Sequence, residues 1–193
     1  LFIRDQARNF LSQECKLSVV RSVLDSDTSF DRELWQKVVG LGWTAMAIPE
    51  SYGGLGLGYL ELCVIAEELG RSLAPIPFSS SVYLATEALK SWGNEEQKQN
   101  YLPKLSAGEL IGTLALSEGL GAPTVAAQVH DGALSGTKLP VPDGDVANFA
   151  VVSALGDTGA VGLYLVDLEG TGVERETLSS MDPSRSQARV IFD

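Results

Sequence analysis

Four glycines precede a stretch with helical spacing in the sequence IPESYGGLGLGYLELCVIAEELGRS, which covers residues 48–72. Glycine-rich loops in front of helices can hold phosphate groups with their backbone N–H groups. The dinucleotide fingerprint G-x-G-x-x-G fits Gly54 and Gly56, but its third glycine falls on Tyr59. The phosphate loop G-x-x-x-x-G-K-[ST] requires a lysine that does not follow here. The pattern therefore favours a tight turn with glycines at positive φ over nucleotide binding.

The other residues that could do chemistry are isolated in the sequence. His130 is the only histidine, and no second histidine or cysteine stands at ligand spacing, so we predict a surface residue at a strand end and no metal site. Ser117 and Glu118 lack a neighbouring base, which argues against a hydrolase pair. Glu67 and Glu68 lie in a helical pattern and are predicted to be solvated, with general acid–base work as the alternative.

The hydrophobic pattern divides the chain near Gly108. Before it, apolar residues recur at helical spacing, and Ser29 and Asn94 each predict the start of a helix. After it come short runs rich in Val, Leu and Ala, separated by Gly, Asp and Pro, without helical crossovers. We predict an α+β fold, with an N-terminal all-α helical domain over residues 1–108 and a small antiparallel β-barrel or sandwich domain over residues 109–193.

Composition and charge limit the possible partners. The formal net charge of −11 over 193 residues disfavours nucleic acid and anionic membranes. No apolar run reaches the ~20 residues of a membrane span and no signal peptide is visible, so we expect a cytoplasmic protein. Cys15 and Cys63 lie in helical apolar patterns, which predicts free, buried thiols in a reducing compartment. The chain begins without methionine and ends within an apolar run, so we expect it to be part of something longer.

A series of motifs is more specific than any single glycine pattern. In chain order they are Trp35, GLGW (40–43), IPESYGGLGLG (48–58), AEELGRS (66–72), NEEQKQNYLPKLSAGELIGTLALSE (94–118), GALSGTK (132–138), VANFAVVSA (146–154) and MDPSRSQARVIFD (181–193). In this order and spacing, essentially the whole chain resembles the N-terminal helical and middle β-domains of the acyl-CoA dehydrogenase family. The resemblance implies that the glycine loop is a structural turn.

The resemblance also implies an FAD-dependent oxidoreductase of fatty acid metabolism that oxidises acyl-CoA thioesters to 2-enoyl-CoA. In the family a glutamate base removes the α-proton, and a hydride passes from the β-carbon to the flavin. The flavin accepts the hydride, and the protein binds and orients the flavin and the substrate. That base usually lies in a C-terminal helical domain, which we expect to be absent here, so no catalytic residue is predicted in this chain. The implied partners are an acyl-CoA substrate, electron-transfer flavoprotein as electron acceptor, and further subunits of a homo- or hetero-oligomer.

The family's first flavin segment usually reads L-T-E-P-x-A-G-S-D, and here it is LSEGLGAPT. Leu116 and Glu118 match the pattern. Ser117 replaces Thr but keeps a hydroxyl that can bond the flavin. Pro123 and Thr124 stand where Ser and Asp are usual, so one polar contact is lost.

The second segment usually reads G-x-K-x-[WF]-I-T-N, and here it is GTKLPVPDG. Lys138 matches, whereas Pro140 replaces the aromatic residue and Pro142 replaces Thr. The two prolines remove two backbone donors, and the aromatic packing surface is lost. If FAD is retained, the resemblance places its contacts on the backbone at four positions: Leu116, Ser117, Val141 and Pro142. Substrate contacts are not assigned.

Three interpretations stay open at this stage. The chain is a divergent dehydrogenase that still binds FAD, or a degenerate non-catalytic subunit of a hetero-oligomeric dehydrogenase, or a non-enzymatic protein-interaction module. The segment DPSR at 182–185 likewise has two readings. It forms a β-turn, or it brings Arg185 to a phosphate of coenzyme A or to a partner subunit.

Overall fold

Helices occupy the first part of the chain in this computed structural model, which describes residues 2–119, 121 and 124–193. The α-helices are α1 (Phe2–Glu14), α2 (Leu17–Leu24), α3 (Arg32–Gly40), α4 (Tyr59–Arg71), α5 (Glu87–Trp92) and α6 (Glu95–Ser106). A short 3₁₀ turn covers Glu50–Tyr52, and a π-helical segment covers Ser79–Thr86. No helix among the described residues is both long enough and apolar enough to cross a membrane.

Strands occupy the second part. They are β1 (Gly112–Ala115), β2 (Gln128–His130), β3 (Ala133–Pro142), β4 (Phe149–Leu155), β5 (Val161–Asp167), β6 (Val173–Thr177) and β7 (Gln187–Phe192). The α+β class predicted from the sequence is confirmed. The predicted sheet was antiparallel, whereas the observed one is mixed: it runs β1–β4–β2–β3–β7–β6, with β5 on β4, and β1 pairs with β4 in parallel. Two strands that are far apart in the sequence can pair in parallel, and the alternation of apolar and polar residues in each strand does not reveal this pairing.

The chain divides into two compact units. The helical unit is Leu1–Phe78 with Leu89–Leu110, and the β unit is Ser79–Ala88 with Ile111–Asp193. The π-helical segment therefore groups with the strands, a feature that helical spacing alone does not indicate. The domain boundary near Gly108 remains a prediction.

Apolar stripes form the core of the helical unit. Its buried residues include Ala7 and Leu11 of α1, Leu34, Trp35 and Val38 of α3, and Leu62, Ile65 and Leu69 of α4. The predicted cap at Asn94 is present, because its side chain accepts a hydrogen bond from Gln97 N at 2.8 Å. The cap of α3 is Asp31 and not Ser29, since the Asp31 carboxylate accepts from Leu34 N at 2.9 Å. An aspartate can satisfy the helix terminus and also suits the positive end of its dipole.

Glu68 was predicted to be solvated and is instead buried, with 1% of its side chain exposed. Arg8 of α1 donates to both of its carboxylate oxygens, at 2.6 and 3.0 Å. The hydrogen bonds from Arg8 are the main reason that the pKa of Glu68 lies below its ordinary value, and they outweigh the opposing effect of burial. The pair joins α1 to α4, so Glu68 is a structural residue of the helical unit.

The thiols differ from each other in exposure. Cys15 is buried, as predicted, and burial raises the pKa of its thiol to about 11. Cys63 was also predicted to be buried but is exposed on α4. It lies one residue after Leu62 on the helix, which directs it away from the buried stripe.

The glycine loop is a tight turn, as the sequence indicated. Leu55 N donates to Ala45 O at 2.9 Å, and Gly56 N donates to Ile48 O at 2.9 Å, so backbone N–H groups of the loop are used within the unit. Gly53 adopts a φ of 75°, in the left-handed region. A Cβ at Gly54 would lie 1.9 Å from Ile48 O. Close backbone approach at Gly54 and a positive φ at Gly53 account for these two glycines without phosphate binding.

We predict that Gly54→Ala costs about 3 kcal/mol of unfolding free energy, because its methyl group overlaps the backbone of Ile48. Gly53→Ala is the matched control in the same loop: a Cβ there meets no atom within 4 Å, so only the positive φ opposes it, at about 1 kcal/mol. Urea denaturation followed by circular dichroism compares them. Equal losses in the two variants would contradict the steric explanation.

Candidate functional site

The two segments with flavin-site resemblance lie side by side in the β unit. The first follows β1, and the second is the C-terminal half of β3. Leu139 N donates to Ser117 O at 2.9 Å, and Glu118 forms a parallel bridge with Leu139. The structure therefore brings together two segments that are about twenty residues apart in the chain.

A buried ion pair joins these segments. The Lys138 ammonium donates to Glu118 Oε1 at 2.5 Å, and its side chain is 0% exposed. Glu118 also accepts from Ala126 N at 2.7 Å and from Ala127 N at 3.1 Å. Burial opposes the charged carboxylate, but these hydrogen bonds outweigh it and hold the pKa of Glu118 below its ordinary value. Both residues match the family pattern, yet their pairing was not predicted.

Leu116 and Ser117 present their side chains to solvent and their carbonyl groups to the interior. Both side chains are exposed. Leu116 O accepts from Lys138 Nζ at 3.4 Å and from Ser153 Oγ at 3.3 Å. The outer face of this segment thus offers an apolar side chain and a hydroxyl, which are groups that fit a ring with apolar faces and polar edges.

Val141 and Pro142 are arranged differently. The whole of Val141 is buried, so neither its side chain nor its backbone is exposed to a ligand. Thr113 Oγ1 of β1 donates to Pro142 O at 2.5 Å. Gly144 N donates to Val141 O at 3.2 Å, so both carbonyl groups are used within the unit. Pro140 is exposed, and the β3–β7 pairing shifts register between Lys138 and Val141.

Asp143 is a buried acid that the sequence reasoning missed. It occupies the last position of the second segment, where the family pattern has Asn, and that difference was the available signal. Ser80 Oγ of the π-helical segment donates to its carboxylate at 2.5 Å. Burial raises the pKa of Asp143 to about 6, and the charge of Arg185 partly opposes this rise.

The other sequence candidates lie outside this arrangement. His130 is exposed at the end of β2 and bonds Asp157 at 3.0 Å, as expected of a surface residue. Within the part of the chain that the structure describes, no group of three or more His, Cys, Asp or Glu side chains is placed to hold a metal ion. The DPSR segment forms a turn in which Ser184 N donates to Asp182 at 3.0 Å. Pro123 lies outside the described residues.

Comparison with known proteins assigns the family. Residues 1–109 match the model of the acyl-CoA dehydrogenase N-terminal domain. The acyl-CoA dehydrogenase FadE27 of Mycobacterium tuberculosis is 39% identical over 153 residues, which are 78% of this chain and 41% of that protein. The chain belongs to the acyl-CoA dehydrogenase family. It spans less than half the length of the curated relatives that it matches.

Solved structures agree with this assignment. The ChsE4–ChsE5 complex from Mycobacterium tuberculosis matches with a TM-score of 0.89 and 30% identity, over 99% of this chain and 52% of that one. The acyl-CoA dehydrogenase complexed with FAD from Bacillus anthracis matches with a TM-score of 0.87 and 27% identity, over 100% of this chain and 35% of that one. The fold is therefore that of the helical and β parts of these proteins.

The buried acid predicts a pH-dependent stability. Because the folded-state pKa of Asp143 is about 6 and the ordinary value is 3.8, the folded protein binds the proton more tightly than the unfolded chain. The contribution to the unfolding free energy is therefore favourable below about pH 4 and is lost as pH rises through about 6, by about 3 kcal/mol.

Asp143→Asn keeps the shape of the side chain and removes this titration. Urea denaturation at several pH values should show the variant equal to the wild type near pH 4 and more stable above pH 6. Asp27→Asn, at an exposed position, serves as the control. A constant difference between Asp143→Asn and the wild type across this range would show that Asp143 does not titrate there.

Proposed function

We propose that this chain supplies the helical and β parts of an FAD-dependent acyl-CoA dehydrogenase, which converts an acyl-CoA thioester to 2-enoyl-CoA. The family assignment supports an oxidoreductase, and the FAD complex of the Bacillus anthracis relative supports flavin as the cofactor. The observation that carries the proposal is the fixed pair of segments at Leu116–Glu118 and Lys138–Pro142, which keep the family's framework despite altered contact residues.

In this proposal, FAD would supply the hydride acceptor when bound, and residues of this chain would hold its ring. The Ser117 hydroxyl and the backbone at Leu116 bond one edge of the ring, and the exposed Leu116 side chain covers apolar surface. Pro142, whose carbonyl is fixed by Thr113, is the proposed contact on the same side, whereas Val141 is fully buried and supports it from within. No residue of this chain is assigned as the catalytic base. Electron-transfer flavoprotein is the proposed electron acceptor, by resemblance to the family.

Flavin content tests the cofactor. The full-length protein that carries this chain is purified, its visible absorbance spectrum is recorded, and the flavin-free form is titrated with FAD. Ser117→Ala should weaken FAD binding about fivefold, the amount of one neutral hydrogen bond. Ser135→Ala, at an exposed position of β3, should leave the affinity unchanged. If the wild type neither contains nor binds FAD, the proposed cofactor is wrong.

A hetero-oligomeric assembly is the second candidate. Pro140 and Pro142 replace residues that usually contact flavin in the family, and a relative with 30% identity was solved as a complex of two named components. Under this second candidate, the chain pairs with a catalytic homologue and contributes little of the flavin contact itself.

Co-expression with homologous subunits from the same genome distinguishes the two assemblies. Under the second candidate, the chain purifies alone without FAD, and a stoichiometric complex with a homologue contains fewer flavins than subunits. A flavin on every subunit of a homo-oligomer would exclude it. A protein that carries no flavin in any assembly and binds no acyl-CoA would instead favour an interaction module.

A further inference from the structure

Lys138 is unusual among the charged residues of this chain. Within the described ranges, it is the only lysine or arginine with a fully buried side chain. Three acceptors surround its ammonium group: Glu118 Oε1 at 2.5 Å, Ser153 Oγ at 3.1 Å and Leu116 O at 3.4 Å. A lysine ammonium has three N–H donors, so each donor has a partner.

Stability alone gives a weak reason for this arrangement. Moving two charges out of water is expensive, and replacing a buried pair with apolar residues of similar volume is often neutral or stabilising. The fold could therefore join β1 to β3 with apolar side chains at positions 118 and 138. An ammonium group does something that an apolar side chain does not: it donates to the backbone carbonyl of Leu116.

The hydrogen bond to Leu116 O fixes the peptide group between Leu116 and Ser117. A peptide group is planar and trans, so the N–H of Ser117 points opposite to the carbonyl of Leu116. That carbonyl is held on its inner side by two donors, Lys138 Nζ and Ser153 Oγ. The next carbonyl, of Ser117, is held by Leu139 N. The N–H of Ser117 is consequently directed away from Lys138, in a residue that is exposed to solvent.

We propose that Lys138 is a positioning residue for the flavin: through the Leu116 carbonyl, it orients and polarises the Ser117 N–H as a donor to an acceptor atom of the ring. This inference rests on the proposed function. A cation on the carbonyl side of a peptide draws electron density from its N–H and makes it a stronger donor. A stronger donor stabilises the electron-rich reduced ring more than the oxidised ring, so Lys138 raises the reduction potential of the bound flavin.

The test uses a variant pair in the full-length protein. Lys138→Met alone would leave the Glu118 carboxylate buried without its cation, and this would confuse folding with positioning. The double variant Lys138→Met/Glu118→Gln removes both charges and keeps similar volume. We expect it to bind FAD about tenfold more weakly than the wild type, the amount of one charge-assisted hydrogen bond, and to lower the midpoint potential of the bound flavin.

Two controls separate positioning from structure. Glu118→Gln keeps the cation next to Leu116 O but removes its counter-charge, so it should not lower the flavin potential, and its denaturation midpoint measures the stability cost of the unpaired charge. Lys104→Met removes an exposed lysine of α6 and should change neither. Circular dichroism and urea denaturation confirm that each variant is folded. A merely structural pair would alter the denaturation midpoint without a shift in flavin potential.

The outcomes are distinguishable. If the wild type binds FAD and the folded double variant matches it in affinity and potential, the positioning role is wrong and the proposed function stands. If the wild type binds no FAD, both are wrong. If the double variant does not fold, Lys138→Gln/Glu118→Gln decides, because it removes both charges and keeps a hydrogen-bonding side chain at each buried position. An unchanged flavin potential in that folded variant would overturn the inference.

Discussion

The buried ammonium group of Lys138 requires an opposite charge and hydrogen-bond acceptors, and the surrounding β unit provides them. A fully buried charge is tolerated only with an opposite charge and a complete set of acceptors. Glu118 supplies the charge, and it can do so only if the chain after β1 turns toward β3. The N–H groups of Ala126 and Ala127 bond the two oxygens of the same carboxylate. One ion pair thus fixes Glu118 next to β3 and, through its carboxylate, the backbone at Ala126 and Ala127 just before β2.

Much of the fold could be predicted from short stretches of sequence, because helix caps and the spacing of apolar residues depend on interactions between neighbouring residues. Helical spacing and the Asn94 cap located the helices, and short apolar runs located the strands. Pairing between distant residues was not predictable in the same way. The parallel contact of β1 with β4 and the burial of Glu68 against Arg8 depend on partners 37 and 60 residues away. A glutamate on a helix is usually exposed to solvent, and its burial can be predicted only when the position of its charged partner is known.

At the candidate site, too, the positions of interest could be predicted from the sequence, but the contacts between residues could not. Resemblance identified Leu116, Ser117, Val141 and Pro142 as positions of interest, and the structure places two of them on an exposed segment and buries the Val141 side chain. The pairing of Glu118 with Lys138 was missed although both residue types were noted. The signal was present: one acid and one base of the family pattern persist where neighbouring positions have changed. Two opposite charges kept in altered segments are an indication of mutual contact.

The prolines of β3 remove backbone donors at positions where the strand pairing tolerates their loss. Pro140 lies where the β3–β7 pairing shifts register, and proline is tolerated at such interruptions because no ladder hydrogen bond is required there. Pro142 still offers its carbonyl to Thr113. Pro142 therefore keeps an acceptor that helps to hold β3 in place and lacks only the N–H donor. Since donors are what an electron-rich ring edge needs, any flavin held here depends more heavily on the segment after β1. In the proposed flavin site, the Ser117 N–H directed by Lys138 is then the contact on which binding would depend.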